Sequence, residues 1–315
     1  MGTIQGRYKE AWLIKNVLVI GFGSMGQKHS EYLSGLLGNE NIFVLTKQEN
    51  FPFASLNSIS QINKLDPDYI VISSETSSHV SYIKEIETRV FNKVILVEKP
   101  LFAKYEDFHP RNNTYFVGYN LRFHPLISSI RKEIKEEKVI SFEVICNSYL
   151  PNWRRNINYS DSSSASKSKG GGVLLDLSHE LDYLRYIFGD VEHLYSKSIK
   201  VSDLKINTDD YLILVGETKE KALFTVNLNY FSKREIRKVT IETDKRTIVL
   251  DLLDSRMVSY YPDKGPLEIL KNYSVADTYI QQHKAILQED YTQLCSYQDG
   301  LKVMQMIDQI QNFEK

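Results

Sequence analysis

The sequence predicts an α/β unit joined to an α+β unit, the second being an open, mainly antiparallel sheet with flanking helices. Three observations carry this. Short apolar runs alternate with helical patterns from residue 17 to about 119, which implies right-handed crossovers onto a parallel sheet covered on both faces. From about residue 190 one strand pattern follows another, with turn residues between some of them. A length of 315 residues also exceeds what one hydrophobic core usually holds. The division falls near residue 120, giving units 1–120 and 121–315.

The first strand is VLVI (17–20), and after it Met25, His29, Tyr32, Leu33 and Leu36 recur on one helical face. NIFVLT (41–46) is the second strand, with a short helix around 58–64 after it. DYIVIS (68–73) is the third, and a helix spans 77–90. KVILV (93–97) and TYFVGY (114–119) complete the set. A helix near 125–137 then leads into VISFEVICNSYL, which alternates as a half-buried strand does. The strand-rich stretch runs from HLYSKSIKV through DDYLILVGET, KALFTVNLNYF, IRKVTIETD and RTIVLDL to RMVSYY, and 276–313 reads as helical. The Ser/Lys tract 160–169 is expected to be a mobile loop.

Composition is ordinary for a soluble globular protein, with 42% apolar and 25% charged residues and a net charge of −1. The basic excess of a nucleic-acid binder is absent. Cys146 and Cys295 are too few for a disulfide framework or a structural zinc site, so no metal is expected and free buried thiols in a cytoplasmic setting are. No apolar run approaches the roughly 20 residues of a membrane span. MGTIQGRYKEAWLIKN lacks the apolar core and cleavage site of a signal peptide.

The first strand ends in GFGSMG, in which Gly21, Gly23 and Gly26 form G-x-G-x-x-G between a strand and a helix. In that setting the first glycine permits the tight turn, the second lets backbone approach a pyrophosphate, and the third lets helix and strand pack closely. The helix N-terminus adds N–H donors and partial positive charge. The first unit is therefore expected to be a Rossmann-type dinucleotide-binding domain, with Gly21, Phe22, Gly23, Ser24, Met25 and Gly26 against the cofactor. The second strand ends Leu45-Thr46-Lys47 and carries no carboxylate at its tip for a ribose hydroxyl. A hydroxyl and an ammonium suit a 2′-phosphate better, so NADP is favoured over NAD, with Glu49 as the residue that could reverse this. The third strand ends in Ser73, Ser74, Glu75, Thr76, Ser77, Ser78 and His79, where ligands bind in open α/β sheets. These residues are candidates for the cofactor, while Thr76 or Ser77 could equally cap the next helix and His79 could equally be a first-turn residue without chemistry.

KVILVEKPL delivers Glu98, Lys99 and Pro100 where a buried strand ends. Lys and Glu are costly to bury, so the strand end is expected at a cleft, with Pro100 stiffening the turn. GFGSMG, VEKPL, GYNLRFHP and GGGVLLDLSHELDYLRYIFG occur in an order that resembles the glucose–fructose oxidoreductase / inositol dehydrogenase / rhizopine catabolism (Gfo/Idh/MocA) family, over roughly residues 15–310. The resemblance implies NAD(P)-linked oxidation or reduction of a sugar, cyclitol or related carbonyl. It implies a homo-oligomer, dimer or tetramer, paired through the second sheet. It also implies that Glu98-Lys99-Pro100 is the family's E-K-P, often with a cis proline, and that Lys99 meets a substrate hydroxyl or carbonyl. Glu98, Lys99 and Asn120 join the cofactor candidates.

In LLDLSHELDYLRYIF, Leu174, Leu177, Leu181, Leu184 and Phe188 make an apolar stripe, and Asp176, His179 and Asp182 fall together opposite it. A carboxylate beside an imidazole sets its tautomer and raises its basicity. The family usually places histidine four residues after the acid, whereas here His179 is three after Asp176 and Glu180 holds the fourth place. His179 remains the expected general base, with Lys99 and Asp176 as its catalytic companions and Glu180 as a rival. The substrate candidates are Lys99, Arg122, Trp153, Arg154, Asp176 and His179, with Arg155, Lys167 and Lys169 adding charge and His124 at the domain join. The arginines suit an anionic or nucleotide-linked sugar. The alternatives are a non-catalytic NAD(P)-binding sensor or assembly protein, and a reductase of an imine or linear tetrapyrrole.

Overall fold

The computed structural model describes residues 14–154 and 158–313; the N-terminal stretch and Arg155 lie outside the described residues. Strands β1 (Val17–Ile20), β2 (Ile42–Leu45), β3 (Ala54–Leu56), β4 (Tyr69–Ile72), β5 (Val94–Val97) and β6 (Thr114–Val117) form a parallel sheet in the order β6-β5-β4-β1-β2-β3. Helices α1 (Ser24–Leu37), α2 (Ile62–Leu65) and α3 (His79–Arg89) supply the crossovers. β1 and β4 are buried along their whole length, as continuous apolar runs require in a doubly covered sheet.

The register places the site. Ile20 pairs with Leu45 and Ile72, Ile72 with Val97, and Val97 with Val117. The strands thus end flush, and Gly21, Thr46, Ser73, Glu98 and Gly118 stand in one row at the carboxyl edge.

After α4 (Pro125–Glu133), β7 (Val139–Tyr149), α5 (Val173–Asp176) and α6 (His179–Phe188), the chain forms β8 (Val191–Ile199), β9 (Tyr211–Thr218), β10 (Leu223–Asn229), β11 (Phe231–Thr243), β12 (Thr247–Asp251), β13 (Arg256–Tyr260) and β14 (Leu267–Leu270). The second sheet runs β14-β13-β12-β11-β7-β10-β9-β8, and only the β7–β10 pair is parallel. Burial alternates residue by residue along β9, turning Leu212 and Leu214 to the core and leaving Tyr211, Ile213 and Val215 half-buried on the other face.

Two expectations change here. The stretch 276–313 is helical except at its middle, where β15 (Cys295–Ser296) separates α7 (Val275–Leu287) from α8 (Tyr297–Asn312). β15 pairs antiparallel with β6 and covers the edge that the parallel sheet would otherwise leave open. Residues of this segment pack on the first sheet, Ile286 and Leu294 sharing a core with Val17, Val19 and Leu96. The Ser/Lys tract is not an open loop. It folds into 3-10 turns at Tyr159–Asp161, Ser163–Ala165 and Lys167–Lys169, with Ser162, Ser164 and Ala165 buried. Its short side chains let the backbone bond outward: Asn207 N–H donates to Ala165 O and the Thr208 hydroxyl to Ser164 O.

Candidate active site

The glycine loop is built for a close approach. Gly21 has φ +88, and a Cβ there would meet Ser74 Cα at 2.6 Å. Gly26 lies against Gly21 O, which a Cβ would meet at 2.0 Å. Gly23, by contrast, faces open space and caps α1 without any side-chain hydrogen bond. The first intrahelical bond is Gln27 N–H to Gly23 O at 2.9 Å, and the first turn carries no acid. The preceding N–H groups therefore have no intrahelical acceptor and point at an open cradle, which fits a pyrophosphate. Beside the loop, Leu45, Thr46, Lys47, Asn57, Ser58, Ser78 and Tyr82 line a cavity of about 510 Å³ at the end of β2.

Several cofactor candidates hold the frame instead. Phe22 is buried and packs on Phe51 and Phe53. The Ser73 hydroxyl donates to Ile20 O and Gly21 O and so fixes the loop. Neither Thr76 nor Ser77 caps the next helix; its N-cap is Ser78, whose hydroxyl is bonded to Ser74 Oγ and Glu75 O. His79 is 1% exposed, with its ring nitrogens against Pro100 O, Leu101 O and Ser74 O. It holds the turn after β5 and is not free to touch a cofactor. Glu98 turns inward: Oε1 meets His29 Nε2 at 2.8 Å, and Oε2 accepts the Lys99 N–H. Asn120 donates to Thr278 Oγ1, while its Oδ1 is buried without a partner. Ser74, Glu75 and Thr76 remain at the accessible edge.

The Lys99–Pro100 bond is cis. Lys99 Nζ donates to the backbone carbonyl of Asp176 at 2.6 Å, joining the first sheet to the second unit. That carbonyl is available because the predicted helix is broken. Asp176 ends α5, Ser178 N–H bonds to Leu175 O, and Glu180 N–H bonds to Leu177 O. These tight i→i+3 bonds interrupt the helix between Asp176 and His179. In a continuous helix the Glu180 N–H would have occupied the Asp176 carbonyl.

The break also re-sorts the acids. The Asp176 carboxylate accepts the Tyr230 hydroxyl at 2.5 Å, and Tyr230 packs edge-on against Trp153 at 5.1 Å. His179 packs edge-on against Tyr119, its Nδ1 buried without a partner. Burial, then the cations of Lys99 and Arg237, push its pKa well below the ordinary value. Asp182 does not join it. The guanidinium of Arg122 bonds both Asp182 oxygens and also reaches Leu294 O and Asp299. Glu180 is taken by Arg237 at 2.7 Å. So α6 has no solvated acidic face, because Asp182 is drawn to the buried Arg122 guanidinium and Glu180 to the half-buried Arg237. Arg122 is likewise a buried strut, as desolvating a guanidinium requires a carboxylate beside it. Arg122→Met should lower stability by about 3–5 kcal/mol in chemical denaturation while leaving NADH and NADPH affinity unchanged. His124 caps α4, accepting the Leu126 N–H, and burial drives its pKa down to about 4.

Trp153 donates from Nε1 to Ser148 Oγ and lines a small recess with Leu150, Arg154, Tyr159, Ser162 and Ser164. Arg154, Lys167 and Lys169 are exposed. Gly170 lies against Thr76 and Ala103, which a Cβ there would meet at 3.5 and 3.6 Å, so the Ser-rich turns reach the rim of the glycine-loop cleft. The structure thus brings Lys99, Asp176 and His179 together and adds Tyr230, Tyr119 and Arg237, none of which the sequence singles out. Tyr230 sits on a one-residue link between β10 and β11 that reads as continuous strand.

Residues 137–249, from the residues just before β7 to within β12, match the model of the GFO/IDH/MocA C-terminal domain. The chain carries that domain. The GFO/IDH/MocA portion therefore includes Asp176, His179 and Tyr230, with the Lys99 turn supplied by the sheet before it. Solved structures of the same fold include levoglucosan dehydrogenase in complex with NADH (TM-score 0.81, 18% identity, 94% of this chain and 95% of that one). UDP-N-acetylglucosamine 3-dehydrogenase GnnA from Acidithiobacillus ferrooxidans matches with TM-score 0.75, 16% identity and coverage of 95% and 97%. GenD2 from gentamicin A biosynthesis, in complex with NAD, matches with TM-score 0.75, 17% identity and coverage of 98% and 95%. At these identities the likeness is one of fold. No curated protein matches the sequence.

Proposed function

We propose that this GFO/IDH/MocA protein is an NAD(P)-dependent oxidoreductase that moves a hydride between nicotinamide and a hydroxyl or carbonyl carbon of a sugar or sugar derivative. The observation that carries the reading is the Lys99–Asp176 bridge beside His179, at the edge where the glycine loop opens. The dehydrogenases of the same fold, whose names give sugars or sugar nucleotides as substrates, support it.

In this reading Gly21–Gly26 hold the pyrophosphate, and Ser74, Glu75 and Thr76 flank it. The bound nicotinamide supplies the hydride acceptor or donor. Lys99, fixed by the Asp176 carbonyl, presents its ammonium to the substrate oxygen. His179, kept neutral by burial and two nearby cations, accepts the hydroxyl proton and returns it in the reverse direction. Tyr230 holds the Asp176 carboxylate, with Trp153 packed edge-on against it. Arg154, Lys167 and Lys169 favour an anionic substrate.

The test is a screen of polyols, sugars and sugar nucleotides with NAD and NADP, read at 340 nm. Cofactor binding with no absorbance change across the screen would favour a sensor instead. Thr46 and Lys47 at the tip of β2, in a cavity with Asn57 and Ser58, support NADP over NAD. NADPH is expected to bind at least about tenfold tighter than NADH by fluorescence titration, a margin of about 1.4 kcal/mol. Lys47→Glu should reverse the order; equal affinities in the wild type would remove the preference. The half-buried outer face of the second sheet, with Tyr211, Ile213, Val215 and Ile145, supports self-association, which light scattering reads directly.

A further inference from the structure

Four fully or nearly buried side chains from separate elements form an unbranched chain that ends beneath the Lys99 turn. Tyr69, at the start of β4, has its hydroxyl 2.9 Å from His283 Nδ1 on α7. His283 Nε2 lies 2.8 Å from His29 Nδ1 on α1. His29 Nε2 lies 2.8 Å from Glu98 Oε1, and Glu98 Oε2 accepts the Lys99 backbone N–H at 3.2 Å. Tyr69, His29 and His283 are 0% exposed and Glu98 is 6%. Gly118 makes room for the carboxylate: a Cβ there would meet Glu98 Oε1 at 2.9 Å and Glu98 Cα at 3.2 Å.

Hydrogen-bond counting gives this chain a direction. A neutral imidazole has one donor and one acceptor nitrogen. If Glu98 is a carboxylate, His29 donates from Nε2 and accepts at Nδ1, His283 does the same, and Tyr69 donates its hydroxyl proton. Every buried proton then has an acceptor. In the reversed chain Glu98 is protonated, both histidines carry the proton on Nδ1, and the Tyr69 hydroxyl becomes an acceptor whose own proton points into a sealed core. An unmade buried donor costs about 1–3 kcal/mol, so the forward direction wins. Burial acts the same way on the middle and end of the chain, holding His283 well below the usual imidazole range and Tyr69 well above the usual phenol range.

We propose that Tyr69, His283 and His29 are positioning residues for Lys99: a one-way donor chain that holds Glu98 as an oriented carboxylate, which in turn holds the Lys99 backbone in the turn that reaches Asp176. The chain makes α7, far away in sequence, part of the site, since the same helix also supplies Thr278 to Asn120 at the end of β6. Its functional meaning rests on the oxidoreductase reading of Lys99, but its structure can be tested without turnover.

The experiment is nitrogen-15 NMR of histidine-labelled full-length protein without added ligand. His29 and His283 are both expected as neutral Nε2–H tautomers at pH 7; an Nδ1–H tautomer or an imidazolium at either position overturns the proposal. Glu98→Gln should invert both to Nδ1–H. The amide then donates one N–H to His29 and accepts from Lys99 N–H, which leaves fewer unpaired donors than an amide nitrogen set against the Lys99 N–H. Unchanged tautomers in that variant would mean that Glu98 does not set the direction. In His29→Leu the Lys99 amide should exchange with solvent at least tenfold faster while the Val226 amide in the second sheet is unchanged. Equal acceleration at both, or at neither, assigns His29 a general packing role and overturns its positioning role. Failure of the oxidoreductase reading would appear separately, as wild-type protein with these tautomers and no reduction of NAD or NADP in the screen.

Discussion

Lys99→Met is expected to lower turnover by about 10²-fold or more, in the range that a positioned proton-transfer group supplies, while cofactor affinity changes by less than about threefold, as the glycine loop is untouched. Methionine keeps the length and apolar stem of lysine and deletes only the ammonium that reaches the Asp176 carbonyl. The same variant makes a second, independent demand on His179. Burial and then Lys99 depress that imidazole, so removing the ammonium must raise its pKa toward the ordinary value of about 6.5. The sign is fixed: a cation disfavours imidazolium, and its loss favours it. In the wild type the acid limb of alcohol oxidation should therefore lie below about pH 6.5, because His179 stays in its proton-accepting form as pH falls through that value. Histidine titration by NMR reads the shift without a substrate. An unmoved His179 in Lys99→Met would mean that the two groups do not interact, and turnover within twofold of wild type would remove Lys99 from the reaction.

That coupling also marks the limit of what the sequence discloses. The carboxyl-edge row was legible because it follows from covalent order: a buried four-residue strand must release the next residue at its end, so GFGSMG, Thr46-Lys47, Ser73-Ser74 and Glu98-Lys99 had to line up once the sheet was parallel. The partners of the charged side chains were not legible. Helical periodicity placed Asp182 beside His179, but periodicity carries no information about Arg122, 60 residues earlier, which takes both Asp182 oxygens. It also assumes an unbroken helix. The break at Leu177–Ser178 leaves the Asp176 carbonyl free for Lys99. His29 reads in sequence as one more member of an apolar helix face. In the fold it is a polar group in a sealed core, which has to find a partner, and the partner comes from a helix 254 residues away.

The glycine loop gives the other large effect, and here two glycines of one motif should behave in opposite ways. Gly26→Ala places a Cβ 2.0 Å from Gly21 O and 3.0 Å from Ser73 Oγ. The first of these is backbone in the turn that the motif exists to make, so it cannot swing aside; α1 must move off the sheet. A loss of about 1–3 kcal/mol, typical of an overpacked contact, is expected in chemical denaturation, and cofactor binding should fall with it. Gly23→Ala meets nothing within 4 Å, and its φ of −70 is open to any residue. Stability should stay within about 0.5 kcal/mol of wild type. Yet the added methyl occupies the space through which backbone N–H groups at the start of α1 would reach a pyrophosphate. The affinity for NADH and NADPH should fall together by at least about tenfold, or 1.4 kcal/mol, because the pyrophosphate is common to both. A loss confined to one cofactor would place the methyl against the adenosine ribose instead, and unchanged binding of both would mean that no phosphate passes over Gly23. Only a ligand lying in that cradle makes the harmless substitution for folding the damaging one for binding, so the pair of variants separates a phosphate site from a merely tight turn.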